Sequence, residues 1–219
     1  MCQIRYFYAK YDKYNTEIEK MKLQLCKNSS GIGALEYAMQ CVNFAKKKLY
    51  DLDNDETKFS ISNSTATSII YYASCFNTNN DLIILDKSVF SDEAKNNDPN
   101  SDQLSEREYH QLIMNYRNRI LAHNLNFAGG LMDVGVVQFK EAYEVITLCT
   151  SRAPIESLNF YNAFENLINK SISALQNKNE KITKRIQMHI MDGNIVISDE
   201  EIALIPIPDI PTKKFWGLI

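Results

Sequence analysis

Apolar side chains recur at helical spacing along most of this chain, and the places where the recurrence stops mark its joints. Tyr11, Tyr14, Ile18, Met21 and Leu25 fall three or four residues apart. They predict a first helix that ends near the polar stretch KNSSG. The segment GALEYAMQCVNFAKKKLYDL repeats the period through Leu35, Met39, Val42, Ala45 and Leu49. A third helix is predicted over STATSIIYYASCFN, with Ser64 or a neighbour as its cap. DLIILD is too short for a helix and reads as a strand or an extended connection. Residues 91–103, SDEAKNNDPNSDQ, are polar, contain Asp-Pro and have no apolar period, which makes them a loop.

Beyond that loop, Ser105 followed by Glu108 forms a capping box, the strongest helix-start signal in the chain. Gly129 and Gly130 break the pattern in NFAGGLMD. A further helix is predicted from Val136 to about Ser151, with Phe139, Tyr143 and Ile146 inward. Pro154 suits the first position of a last long helix that runs through Leu158, Tyr161, Ile168, Ile172, Leu175 and Ile182 towards Ile186. IQMHIMDGNIVIS alternates around Asp192-Gly193 and reads as a β-hairpin, and the proline-rich IPIPDIPTKKFWGLI as an extended tail. The pattern therefore predicts an all-α fold. It is an antiparallel bundle of five to six helices over residues 1–186, with a small hairpin and tail over residues 187–219 packed on the same domain.

Composition narrows the class. With 219 residues, 45% hydrophobic and 23% charged, the chain can bury a globular core without staples. A net charge of −3 gives no global attraction to nucleic acid, so any polyanion contact needs a local basic cluster. Cys2, Cys26, Cys41, Cys75 and Cys149 show no CxxC spacing, so they read as reduced thiols and not as a zinc or redox motif. MCQIRYFYAKYDKYN lacks the apolar core of a signal peptide, and no run of about 18 apolar residues occurs. A cytoplasmic protein is expected. Three scattered histidines give no metal site, and no cofactor motif is present.

The chemistry concentrates in YRNRILAHN, Tyr116 to Asn124. With Tyr109 as the origin and a step of about 100° per residue, Ile120, Ile113, Tyr116, Leu112 and Leu121 define one broad apolar face. His123 falls inside it at about 320°, and Arg117 at about 80°. Arg119 stands at its edge at about 280°, and Asn118 outside it at about 180°. No acidic residue stands three or four positions from Arg117, so its partner must come from another helix, another subunit or a ligand. A phosphate is well matched to a guanidinium. The plain alternatives are an arginine that snorkels to solvent and a histidine satisfied within a core.

The stretch YHQLIMNYRNRILAHN resembles the signature helix of the HEPN superfamily: Arg, four to six residues, then His, commonly with Asn or Asp after the Arg. Here these are Arg117, Asn118 and His123, and the resemblance covers about residues 105–124. Some HEPN toxins carry a Tyr two residues after the His, where this chain has Leu125.

The resemblance implies a helical, metal-independent endoribonuclease that acts as a homodimer with a composite active site, of the toxin–antitoxin or antiphage type. RNA would be its substrate and an antitoxin protein a candidate partner. His123 would serve as base on the ribose 2′-OH or as acid on the leaving 5′ oxygen, and Arg117 would stabilise the charged transition state. Asn118 would orient His123 or the phosphate. Tyr116 would stack on a base or belong to the core, and Arg119 would contact phosphate or remain a solvated edge residue. A composite site also answers a geometric problem. On one ideal helix Arg117 and His123 stand about 120° apart and about 9 Å apart along the axis. The other reading in view is a catalytically silent HEPN-like module that binds RNA or a partner.

Remaining features read plainly. GIG at residues 31–33 lacks the Lys-Ser/Thr of a phosphate loop. Lys46, Lys47 and Lys48 complement a helix C-terminus, or extend an RNA-binding surface together with KNEKITKR. His110 is expected to be exposed, and His189 shows no evident partner.

Overall fold

The computed structural model describes residues 5–50, 54–76, 85–93, 104–118, 130–139, 142–151 and 157–201, with backbone alone for residues 130–139, 142–151, 200 and 201. In chain order the elements are β1 (Arg5–Ala9), α1 (Asp12–Lys48), α2 (Asp55–Ser74), a 3-10 turn (Lys87–Val89) and α3 (Glu106–Tyr116). They continue with β2 (Gly130–Phe139), β3 (Ala142–Ser151), α4 (Leu158–Met191) and β4 (Ile195–Glu201). The protein is mostly helical, with four α-helices among the described residues and two two-stranded antiparallel sheets, β1–β4 and β2–β3. The chain divides into two compact units, one of residues 1–23 with 182–219 and one of residues 24–181.

In the larger unit, α1 does not stop at KNSSG, as the polar residues there suggested. Its apolar stripe continues straight through them, because Ser29 and Ser30 face solvent while Asn28 and Gly31 lie on the buried face with Leu35, Ala38, Val42 and Ala45. Asn28 is fully buried, yet satisfied. Its side-chain amide donates to Asn179 at 2.8 Å, and its oxygen accepts from Gln24 at 2.8 Å. Tertiary packing and this amide network outweigh the weak local propensity.

Helix α2 begins earlier than the Ser64 cap predicted. The Asn54 side chain accepts from the Glu56 N–H at 2.8 Å, with Asp55 and Glu56 set against the positive helix end. Its buried face, Ile61, Thr65, Ser68, Ile69 and Tyr72, mixes in hydroxyls that all find partners. Thr65 bonds the Ile61 carbonyl at 2.8 Å and the Tyr161 hydroxyl at 2.6 Å, and Ser68 donates to the Thr65 carbonyl at 2.7 Å. Helix α4 contributes Phe160, Tyr161, Phe164, Leu167, Ile168 and Leu175 to the same core, and the Ser157 hydroxyl caps it at the Phe160 N–H, 3.1 Å away. The expected start at Pro154 lies outside the described residues, as do most of DLIILD, most of the acidic loop and the C-terminal tail.

The helix expected over Val136–Ser151 is not formed. Residues 130–139 and 142–151 pair in an unbroken antiparallel ladder from Phe139↔Ala142 to Gly130↔Ser151. Three residues at helical spacing, Phe139, Tyr143 and Ile146, gave the helical period. The same stretch is dense in Val134, Val136, Val137, Val145, Ile146, Thr147 and Thr150, whose branched side chains favour a strand. The count of five to six helices falls to four among the described residues, because this stretch is sheet and because the first two predicted helices are one continuous α1.

In the smaller unit, the predicted C-terminal hairpin is corrected in a different way. The expected turn at Asp192–Gly193 exists, but residues 187–191 remain helical and β4 pairs with β1, through Phe7↔Ile197, Tyr8↔Val196 and Ala9↔Ile195. The turn is a helix C-cap. Gly193 holds φ +68°, its N–H donates to the Ile190 carbonyl at 3.0 Å, and the Asn194 N–H reaches the His189 carbonyl at 2.8 Å. Ile18, Met21, Ile186 and Ile195 form the buried contacts of this unit.

Candidate functional site

Helix α3 starts with the predicted capping box. The Glu108 N–H donates to the Ser105 hydroxyl at 3.2 Å, and the Ser105 N–H to the Glu108 carboxylate at 2.7 Å. From that fixed start the helix buries a stripe that shares Ile113 with the predicted apolar face but otherwise departs from it. Glu106, His110 and Ile113 are buried, whereas Leu112, assigned to the inward face, is exposed. Around the helix axis, Glu106 and His110 stand at about 60° and about 100° from Tyr109, so the true inward direction is rotated by roughly 60° from the apolar centroid. Arg117, at about 80°, continues this same stripe one turn beyond Ile113.

A polar stripe can face inward only where each member is satisfied. Glu106 is. Lys170 of α4 donates to its carboxylate at 2.6 Å, the Asn166 side-chain amide at 2.9 Å, and the Ser91 N–H at 3.1 Å. Burial raises the Glu106 carboxyl, but the hydrogen bonds from Lys170, Ser91 and Asn166 and the Lys170 charge outweigh it and hold the group below the usual carboxylate range. His110 is satisfied as well, and it is buried, where exposure was expected. Its Nδ1 shares a 2.8 Å hydrogen bond with the Tyr72 hydroxyl, and the rings of Phe76, Phe90 and Tyr72 surround it at 4.6–5.8 Å. Burial, aided by Lys87 and opposed by Asp86, pushes its pKa down to about 4, so it is neutral near pH 7.

Arg117 is different. It is half-buried, and its guanidinium donates to the Asn118 side-chain oxygen at 3.0 Å. Among the described residues no carboxylate forms an ion pair with it. Its backbone N–H closes the last α-helical turn on Ile113, and the ladder widens into a π-helical turn at Arg117 and Asn118. Such turns are rare and recur at functional positions.

Of the residues singled out by sequence, then, Arg117 and Asn118 are brought into contact, with Asn118 exposed. Tyr116 is half-buried and packs against the core. Arg119 and His123 lie outside the described residues.

Sequence reading passed over Glu106 and over the Tyr72–His110 pair. It also missed a cluster in the smaller unit. There Arg185 donates to Glu17 at 2.8 Å, His189 stands 3.7 Å from the same carboxylate, and Tyr14 meets the His189 ring edge-on at 5.6 Å. The i, i+4 spacing of Arg185 and His189 is the signal that could have found it. Lys46 of the basic run is engaged by Glu165. No group of His, Cys, Asp and Glu among the described residues could hold a metal ion, and no helix among them is long and apolar enough to cross a membrane. Comparison with protein-family models, with curated proteins and with solved structures finds no match.

Proposed function

We propose that this protein is a metal-independent endoribonuclease of the HEPN type, acting on RNA as a homodimer with a composite site. In this reading it serves as a toxin or antiphage-defence nuclease in the cytoplasm. The observation that carries it is the contrast along one stripe of α3. Glu106 and His110 are satisfied inside the fold, whereas the guanidinium of Arg117, at the end of the same stripe, donates only to Asn118 among the described residues. A half-buried guanidinium, already oriented by a neighbouring amide, is prepared for an oxyanion. The sequence places His123 six positions on, in the pattern of the family resemblance.

The reaction follows from these groups. The ribose 2′-OH gives its proton to a base and attacks the adjacent phosphorus, and the P–O5′ bond breaks as an acid protonates the departing oxygen. The products are a 2′,3′-cyclic phosphate and a 5′-hydroxyl. His123 fills one of the two proton-transfer roles, and Arg117 stabilises the extra negative charge on phosphorus. Asn118 positions Arg117, and a second copy of the chain supplies the remaining groups. The stretch near residues 117–118, where the helix departs from α geometry, is where the ideal separation of Arg117 and His123, about 120°, ceases to apply.

The test compares wild type, Arg117→Ala and His123→Ala, each checked for folding by circular dichroism, in cleavage of RNA with a chelator present and in growth inhibition. Loss of at least about 100-fold in cleavage by both variants, with cyclic-phosphate ends in the wild type, supports the reading. Equal behaviour of all three overturns it. The net charge of −3 favours a second reading, a silent HEPN-like module that binds RNA or a partner. RNA binding without cleavage in all three proteins would select it.

A further inference from the structure

Four of the chain's twelve tyrosines, Tyr6, Tyr8, Tyr11 and Tyr14, fall between positions 6 and 14. Three of them are spent on no core. Tyr6 is 57% exposed, Tyr8 51% and Tyr11 49%, although a tyrosine ordinarily buries most of its ring. Tyr6 and Tyr8 stand two positions apart on β1, about 7 Å along the strand, with an irregularity of the β1–β4 register falling between Arg5 and Phe7. Tyr11 follows where β1 passes into α1.

Cations accompany the rings. Lys10 Nζ stands 5.5 Å from the centre of the Tyr11 ring, and Lys13 Nζ stands 5.9 Å from Tyr11 and 4.7 Å from Tyr14. Lys10, Lys13 and Lys20 are exposed. Two of the three acids in this stretch, Glu17 and Glu19, are occupied by Arg185 and Lys22. The acidic end of β4 pairs with the far end of β1, at Arg5↔Glu201, away from the lysines. Among its described residues the smaller unit carries seven Lys and Arg against seven Asp and Glu, so the cations beside these rings are a local cluster and not a net charge of the unit.

We infer that this face, Tyr6, Tyr8 and Tyr11 with Lys10 and Lys13, binds single-stranded RNA by stacking bases on the rings and holding phosphates with the lysines. Exposed rings interleaved with cations match the two requirements of a sequence-tolerant single-strand surface. An apolar protein partner would gain from the rings but nothing from the lysines. The choice of RNA rests on the ribonuclease reading; the surface itself lies in a different unit from Arg117 and stands on its own observations.

The experiment measures binding of a fluorescein-labelled 20-nucleotide oligouridylate by anisotropy, in about 50 and about 200 mM salt. The full-length chain is compared as wild type, Tyr6→Ala/Tyr8→Ala, Tyr6→Phe/Tyr8→Phe and Lys10→Gln/Lys13→Gln. The alanine pair should weaken binding roughly 30-fold or more, the equivalent of about 1 kcal/mol for each stacked base. The phenylalanine pair should retain wild-type affinity, since stacking needs the ring and not the hydroxyl. The lysine pair should weaken binding and flatten its salt dependence. Cleavage is read beside binding in every protein, so a loss of binding in the alanine pair with no cleavage by any protein would separate success of this surface from failure of the nuclease site. Unchanged affinity in the alanine pair, or equal affinity for duplex RNA, would overturn the inference. So would a wild-type dimer that the alanine pair converts to monomer without any effect on RNA.

Discussion

Glu106 in the first turn of α3 and Lys170 in the middle of α4 form an ion pair 2.6 Å long, in which the acid is buried and the lysine half exposed. With Asn166 and the Ser91 N–H on the same carboxylate, this one side chain fixes α3 to α4 and to the segment that follows the 3-10 turn. The helix that carries Arg117 is therefore located by a polar anchor at its far end. Replacing Glu106 with Ala should cost about 2 kcal/mol, because the Asn166 amide and the Ser91 N–H lose their acceptor. A double-mutant cycle with Lys170→Ala, read by urea denaturation, should give a coupling of about 1 kcal/mol or more. Strict additivity would show that the pair does not act as a unit.

The buried His110 makes stability depend on pH. Its folded-state pKa, about 4, lies below its ordinary value near 6.5, so the unfolded chain takes up the proton first as pH falls. The stability carried by the neutral ring is complete above about pH 6.5 and is lost as pH falls towards 4, by up to about 3 kcal/mol. Glu106, whose pKa is lowered, keeps its full contribution above the usual carboxylate range and loses it as pH falls through that range towards its lower folded value. Denaturation curves at pH 7.5, 6.0 and 4.5 should show this slope in the wild type and a flatter one in His110→Phe, even if that variant is less stable at neutral pH. Equal slopes would contradict the burial of a neutral imidazole.

Two glycines should respond in opposite directions to the same substitution. A Cβ on Gly33, exposed inside α1, would meet nothing within 4 Å, so Gly33→Ala should stabilise the fold by about 0.5–1 kcal/mol. Gly193 also has space, but its φ of +68° closes the C-terminus of α4, and Gly193→Ala should destabilise by about 1 kcal/mol. Thermal melts of the two variants on either side of the wild type are the check.

Arg117 should be separable from stability. It is half-buried and bonded to the exposed Asn118, so Arg117→Ala should change the unfolding free energy by less than about 0.5 kcal/mol. A melt within about 2 °C of the wild type, beside a large loss of cleavage, would assign the residue to chemistry. A large destabilisation would instead mark a structural arginine.

Sequence by itself determined the elements whose signals are local. The capping box at Ser105 and Glu108 needs only four residues, and it set the start of α3 where it is found. The apolar stripes of α1, α2 and α4 follow from 3.6-residue periodicity except at their N-terminal ends, where Tyr11 and Leu158 are exposed, and the turn at Asp192–Gly193 follows from a glycine that can adopt positive φ. The Arg117–Asn118 hydrogen bond was not among these, since the sequence assigned Asn118 to His123 or the phosphate.

Tertiary structure decided what depends on partners far away in the chain. KNSSG continues as helix because Asn28 finds Asn179, and β4 pairs with β1 instead of folding back on residues 187–191. The inward face of α3 turned towards Glu106 and His110 because Lys170 and Tyr72 stand ready to satisfy them. A helical wheel ranks side chains by hydrophobicity, whereas burial of a polar group is settled by whether a matching donor or acceptor is waiting for it.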